Sequence, residues 1–261
     1  MNPVETERHG HVLLIRLNRP KVNAISRSFS RAIHEAARHL QEDPALRVGV
    51  LTATGERVFS AGWDFNEATE PNSEGDDHGP GGFGGITAYW DLKKPLIAAV
   101  NGAAIGGGFE VVLACDIILM AEHAYFELPE MQRGFLPDAG GLQRLPRRVP
   151  YNVATEMMLC GRRMEAAEAA RWGLAHRVLP ASELLPQALA LAAEIARGAP
   201  LALQAMKEVA QHIEKMTVRA AMEAVRPAGP ELPIYRRMWA SSDAVEGPRA
   251  FLERRAPVWR G

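Results

Sequence analysis

Residues 96–131 read LIAAVNGAAIGGGFEVVLACDIILMAEHAYFELPEM, and the fold is decided there. Residues 96–100 and 116–121 are short β-rich apolar runs, with a glycine turn and an apolar helix between them: strand, turn, helix, strand. Gly106, Gly107 and Gly108 leave backbone N–H groups unshielded at the helix start, where donors are unpaired and the dipole favours negative charge. Such a turn can hold an oxyanion. Glu110 follows inside an oily helix (Phe109, Val111, Val112, Leu113), where a carboxylate is costly unless it has a partner or a task. Glu130, twenty residues on in FELPEM, is a second carboxylate; alone it also fits a surface loop.

Working outward, residues 11–17 and 48–52 are two more strand-like runs, separated by 26–41, where Phe29, Ile33, Ala37 and Leu40 recur at helical spacing. The strand–helix–strand unit therefore occurs twice. From about residue 151 the character turns helical, with segments at 152–160, 165–172, 182–197 and 201–215 that end at glycine or proline. Residues 67–85, EATEPNSEGDDHGPGGFGG, are acidic and rich in glycine and proline, and read as a mobile loop flanking the site. The end, residues 250–259, carries an apolar stripe with Arg254 and Arg255 on a helix and finishes in PVWRG; a subunit partner is the expected cover for Trp259.

At 261 residues and 47% apolar side chains, the chain can bury a sizeable core. Thirty basic against thirty-one acidic residues, net charge −1, argue against a nucleic-acid or membrane partner and for a small organic substrate. Cys115 and Cys160 stand apart from any paired or metal-ligand spacing and read as two buried thiols, so neither a disulfide framework nor a metal site is expected. MNPVETERHG lacks the pattern of a signal segment and no apolar run reaches a membrane span, so a cytoplasmic protein is expected.

Gly102, Gly106 and Gly108 also spell a dinucleotide-binding pattern with an acid about twenty residues on. Short-chain dehydrogenases place that turn near the N-terminus and a Tyr-x-x-x-Lys pair after it; here the pair, Tyr89 and Lys93, lies upstream. A structural alternative also stands, with the glycines allowing close helix packing and Glu110 in a salt bridge. A second turn weakens it: Val58-Phe59-Ser60-Ala61-Gly62-Trp63-Asp64 follows the strand near Thr52 just as the first turn follows its own strand.

With AGWD at 61–64 and GGGFE at 106–110, the chain resembles the enoyl-CoA hydratase/isomerase, or crotonase, family. The likeness runs from NRPKVNAIS (18–26) through FELPEMQRGFLPDAGGLQRLPR (126–147) to EGPRAFLERRAPVWRG (246–261). It implies an α/β crotonase (ClpP-like) spiral of ββα turns with a C-terminal helical trimerisation module: residues 1–195 form the core with the active site, and 196–261 the module that completes the coenzyme A pocket. It also implies homotrimers or hexamers built as dimers of trimers, an acyl-CoA thioester as substrate, and no cofactor beyond the coenzyme A of that substrate.

By the same resemblance the oxyanion donors are the backbone N–H groups of Trp63 and Gly107, and the catalytic carboxyls are Glu110 and Glu130. The reaction implied is hydration of a trans-2-enoyl thioester or its reverse, either in fatty-acid β-oxidation or on a more specialised acyl group, with enoyl-CoA isomerisation the neighbouring alternative. Two carboxyls in a dry site cannot both ionise cheaply, so their proton affinities should split into an acid and a base. For coenzyme A the resemblance points to the Ala61 backbone and Phe59 at the adenine, and to Phe251 and Arg254 from a neighbouring subunit. Asp138 stands where simple hydratases often carry glycine. It reads as an auxiliary acid, as a helix N-cap before Ala139-Gly140-Gly141, or as a counter-charge to the substrate tail. FSAGWD, GPGGF, PDAGG and the DA-x-EGP…PVW ending are most similar to a branch whose acyl group carries a trimethylammonium. Trp63, Phe83, Tyr89, Trp90 and Tyr125 are the aromatic faces available to that cation.

Overall fold

The computed structural model describes residues 2–68, 77–225 and 232–261. The chain enters on a hairpin, β1 (Val4–His9) antiparallel to β2 (Val12–Leu17). β2 reads VLLIRL and is nearly all buried, as a strand covered on both faces must be. Next comes α1 (Arg27–Glu42), where the Ser26 hydroxyl accepts from the Phe29 N–H and Phe29, Ile33, Ala37 and Leu40 all turn inward. β3 (Val48–Ala53) then pairs in parallel with β2.

From β3 onward the chain repeats one move. β3 is followed by β4 (Val58–Ser60) and the single turn α2 (Phe65–Ala68); β5 (Leu96–Val100) by β6 (Ala103–Ile105) and α3 (Gly107–Leu113); β7 (Ile117–Ala121) by β8 (Tyr125–Glu127). The long strands pair in parallel as β3–β5–β7 and the short ones as β4–β6–β8. Each turn therefore adds one strand to each of two sheets, which is the spiral of ββα turns expected from the resemblance. α4 (Gly141–Arg148) and α5 (Tyr151–Cys160) follow β8.

The helical region begins where the sequence changes character, but two short strands interrupt it. β9 (Arg163–Glu165) closes the smaller sheet antiparallel to β8, and after α6 (Ala166–Arg171), β10 (Arg177–Leu179) adds to the larger sheet parallel to β7. Three residues are too few to show a period of two. Then come α7 (Ala181–Ile195), α8 (Pro200–Ile213), α9 (Val218–Ala224), α10 (Pro233–Ala240) and α11 (Asp243–Leu252). Among the described residues no helix is long and apolar enough to cross a membrane.

Four expectations need correction. Of the loop read as mobile at 67–85, residues 69–76 lie outside the described residues, but 77–85 are pinned against α1. His78 is 2% exposed with Nδ1 2.7 Å from the Ser30 hydroxyl, which also accepts from the Gly84 N–H at 3.0 Å. A Cβ on Gly85 would lie 2.2 Å from the Ser30 carbonyl oxygen, so glycine permits close approach here rather than mobility. Cys115 is buried, whereas Cys160 is exposed, since it ends α5 on the side that also exposes Leu159. Trp259 is already half-buried against its own chain: its indole N–H donates to the Arg197 carbonyl at 2.7 Å and its ring lies over Gly247. Arg254 sits beyond the end of α11 with φ +52°, not on the helix.

Candidate active site

The two glycine turns meet. Gly62 has φ +83°, and a Cβ there would lie 2.6 Å from the Ile105 carbonyl oxygen and 2.9 Å from the Gly107 nitrogen. No side chain fits between the turns, and the parallel pairing of β4 with β6 brings them side by side. The Gly62 carbonyl accepts from the Ile25 N–H at 2.7 Å, and in a trans peptide the N–H points away from its own carbonyl, so the Trp63 N–H faces the opposite way. The Gly106 carbonyl accepts from the Phe109 and Glu110 N–H groups inside α3, which leaves the Gly107 N–H facing out of the helix start. Neither donor has an acceptor among the described residues. Both residues line a cavity of about 510 Å³.

Glu110 and Glu130 line the same cavity, each 4% exposed. Glu110 forms no ion pair among the described residues; its Oε1 accepts from the Gly141 N–H at 2.8 Å, which removes the salt-bridge alternative. Burial pushes its carboxyl up to about 8, against the pull of that N–H, and the nearby Glu130 and Asp138 charges add to the rise. Glu130 opens a short 3-10 turn after β8. Burial pushes it up to about 7, and its Oε2 has no hydrogen-bond partner among the described residues. A buried carboxyl with an unpartnered oxygen on a residue that lines a cavity is a candidate for proton transfer. Both carboxyls therefore hold their protons much closer to neutral pH than an ordinary glutamate does, the condition for pairing an acid with a base.

The remaining sequence-predicted residues divide. Trp63, Ala61, Phe83 and Asp138 line the cavity. Asp138 is not the N-cap of α4: Gly140 takes that position, and the carboxylate is left to face the cavity. Trp90 lies in an adjoining cavity that shares Phe83 and Asp138. Tyr89 instead packs edge-on against His34, and Tyr125 lies under the Arg163 guanidinium 4.2 Å from its ring centre, so neither faces the site. The Phe59 ring is 0% exposed in the core, which leaves only its backbone near the turn and corrects its expected place at an adenine. Phe251, 83% exposed, and Arg254 do not line the cavity of their own chain.

Sequence reading missed Phe65, Phe135 and His78. Trp63, Phe65 and Phe135 form a mutual edge-to-face triangle with ring centres 5.9, 5.9 and 6.0 Å apart at the cavity wall. Phe135 was visible in GFLPDAGG, but its pairing with Trp63 spans more than seventy residues and leaves no local signal.

The chain matches the enoyl-CoA hydratase/isomerase family over residues 7–261. It is 48% identical over 254 residues to a carnitinyl-CoA dehydratase of Salmonella typhi, covering 97% of each chain. To the carnitinyl-CoA dehydratase of Proteus mirabilis it is 47% identical, covering 97% of this chain and 96% of the other. The crystal structure of enoyl-CoA hydratase from Mycobacterium tuberculosis H37Rv superimposes with a TM-score of 0.89 at 35% identity, covering all of both chains.

Proposed function

The chain belongs to the enoyl-CoA hydratase/isomerase family, and from that premise we propose that it is a hydro-lyase adding water reversibly to a trans-2-enoyl-CoA thioester, with carnitinyl-CoA and crotonobetainyl-CoA as its substrate pair. The observation that carries the reading is one cavity holding two unpartnered backbone donors and two buried carboxyls with raised proton affinity. Water adding at the β-carbon pushes charge onto the thioester oxygen. The Trp63 and Gly107 N–H groups meet that charge, each donor worth about 3 kcal/mol of barrier. One carboxylate of the Glu110–Glu130 pair takes a proton from water as its oxygen bonds to the β-carbon. The other, protonated, delivers its proton to the α-carbon, and the pair then re-equilibrates its single proton. Coenzyme A enters as part of the substrate, and no further cofactor is needed for this sequence.

The substrate tail is assigned on the ring triangle and Asp138. Three aromatic faces and a carboxylate at one cavity wall suit a quaternary ammonium, each ring contributing on the order of 0.5–2 kcal/mol. General enoyl-CoA hydration and isomerisation use the same donors; the acyl tail distinguishes the first from this reading and the acids the second. Purified enzyme is expected to prefer carnitinyl-CoA over 3-hydroxybutyryl-CoA and crotonyl-CoA in kcat/KM, and Trp63→Leu to lose more on carnitinyl-CoA than on crotonyl-CoA. Equal losses on both would remove the ammonium assignment.

We further propose that residues 196–261 assemble the chain into a homotrimer, alone or paired as a hexamer, and that Phe251 and Arg254 reach the coenzyme A of a neighbouring subunit. Supporting this, Val218, Met222, Trp239, Val245, Phe251 and Leu252 are exposed on the C-terminal helices. Sedimentation equilibrium should return the mass of three or six chains; a monomer would overturn the assignment. A cytoplasmic setting goes with this reading, as do the two free thiols.

A further inference from the structure

The D of AGWD and the R of NRPKVNAIS have no part in the chemistry above, yet they meet in the structure. Arg19 Nη2 donates to Asp64 Oδ2 at 2.6 Å, with the Asp64 side chain 9% exposed. The same guanidinium, through Nη1, donates to the Ala24 carbonyl. These two acceptors flank a parallel bridge between Ile25 and Trp63, in which Ile25 N–H donates to Gly62 at 2.7 Å and Asp64 N–H donates to Ile25 at 3.0 Å. One planar fork therefore ties both sides of the bridge that turns the Gly62–Trp63 peptide.

Around it, the Asn23 amide donates to the Phe59 carbonyl at 3.0 Å, and the Ser60 hydroxyl donates to the Asn23 carbonyl at 2.7 Å while accepting from the Gly62 N–H at 3.2 Å. Burial alone would raise the Asp64 carboxyl, but hydrogen bonds from Arg19 and Asn66 outweigh it and hold the group below the ordinary carboxylate value. Asp64 is thus charged whenever the enzyme works, and it does not line the cavity. Its charge serves the turn.

We propose that Arg19 and Asp64 are positioning residues for the oxyanion site, fixing the direction of the Trp63 N–H through the Ile25 bridge. The proposal rests on the reading of that N–H as an enolate donor. Arginine suits the task because its fork reaches two acceptors in one plane; lysine keeps the charge and loses the geometry. Gly107, held by its own helix, needs no such brace.

The test uses full-length Asp64→Asn and Arg19→Lys enzymes with two non-turnover probes. Acetoacetyl-CoA binds as an enolate read by its ultraviolet absorbance, and butyryl-CoA presents a neutral thioester carbonyl. Both variants should weaken acetoacetyl-CoA at least about tenfold more than butyryl-CoA, and lower kcat for crotonyl-CoA hydration at least about tenfold with KM nearly unchanged. Equal weakening of the two probes, no weakening, or an effect confined to KM overturns the proposal. If Asp64→Asn fails to fold, Arg19→Lys carries the same comparison. Wild-type enzyme that hydrates no enoyl thioester yet still shows the enolate contrast would defeat the proposed reaction and leave the positioning role standing.

Discussion

Glu110→Gln and Glu130→Gln should each lower kcat for hydration by about 10²- to 10⁴-fold while leaving butyryl-CoA binding within a few-fold of wild type. Both carboxyls are needed, because glutamine can neither take a proton from water nor deliver one to carbon. Unchanged turnover in either variant would strip that residue of its assigned role. The same substitution has a stability signature. A carboxyl raised to about 8 by burial binds its proton more tightly in the folded chain than in the unfolded one, whose value is about 4.5. Folding is therefore penalised as pH rises above the unfolded value, by about 1.4 kcal/mol per pH unit, until the folded value is passed. Glu110→Gln removes the penalty, so its melting temperature relative to wild type should climb between pH 5 and pH 8 and then level. A flat difference across that range would show that Glu110 is not held protonated.

Gly62→Ala is expected to cost far more activity than one added methyl ordinarily does. Its φ of +83° strains any other residue by about 1–2 kcal/mol. The added carbon would also press on Ile105 O and Gly107 N, both backbone. The two turns must separate, and an oxyanion site with one donor misplaced loses on the order of 10²-fold in kcat. Gly10→Ala is the matched control: φ is +60°, with nothing within 4 Å of the new carbon. It should cost strain alone, a few degrees of melting temperature and no activity. If the two variants fall equally in kcat and in thermal melts, the turns are not braced against each other at Gly62.

Much of this was legible in the sequence, for identifiable reasons. The strands at 96–100 and 48–52 are continuous apolar runs bounded by turns, and α1 carries its face at helical spacing. Glu110 was conspicuous because a carboxylate in an oily helix has few excuses, and Glu130 gained its meaning from its apolar flanks and the family resemblance. What escaped was set by partners far along the chain. Phe135 joins Trp63 across more than seventy residues, and β9 and β10 exist because β8 and β7 offer them an edge. Residues 77–85 looked mobile because glycine reads as freedom when the Ser30 backbone and hydroxyl that fill its space are out of view. Tyr125 was near the site in sequence and faces away from it in space, the ordinary result of alternation along a strand.

The three short strands end at one wall. β4 ends at Ser60 and delivers Ala61 to Trp63; β6 ends at Ile105 and delivers Gly106 and Gly107; β8 ends at Glu127 and delivers Glu130. Their parallel register spaces these endings by one strand width, about 4.8 Å, so the groups that line the cavity inherit their separation from the sheet rather than from the loops. The endings are also packed on one another, Gly62 against the Gly107 nitrogen and Gly106 against Glu130 Oε1, so a side chain changed at one ending is felt at the next.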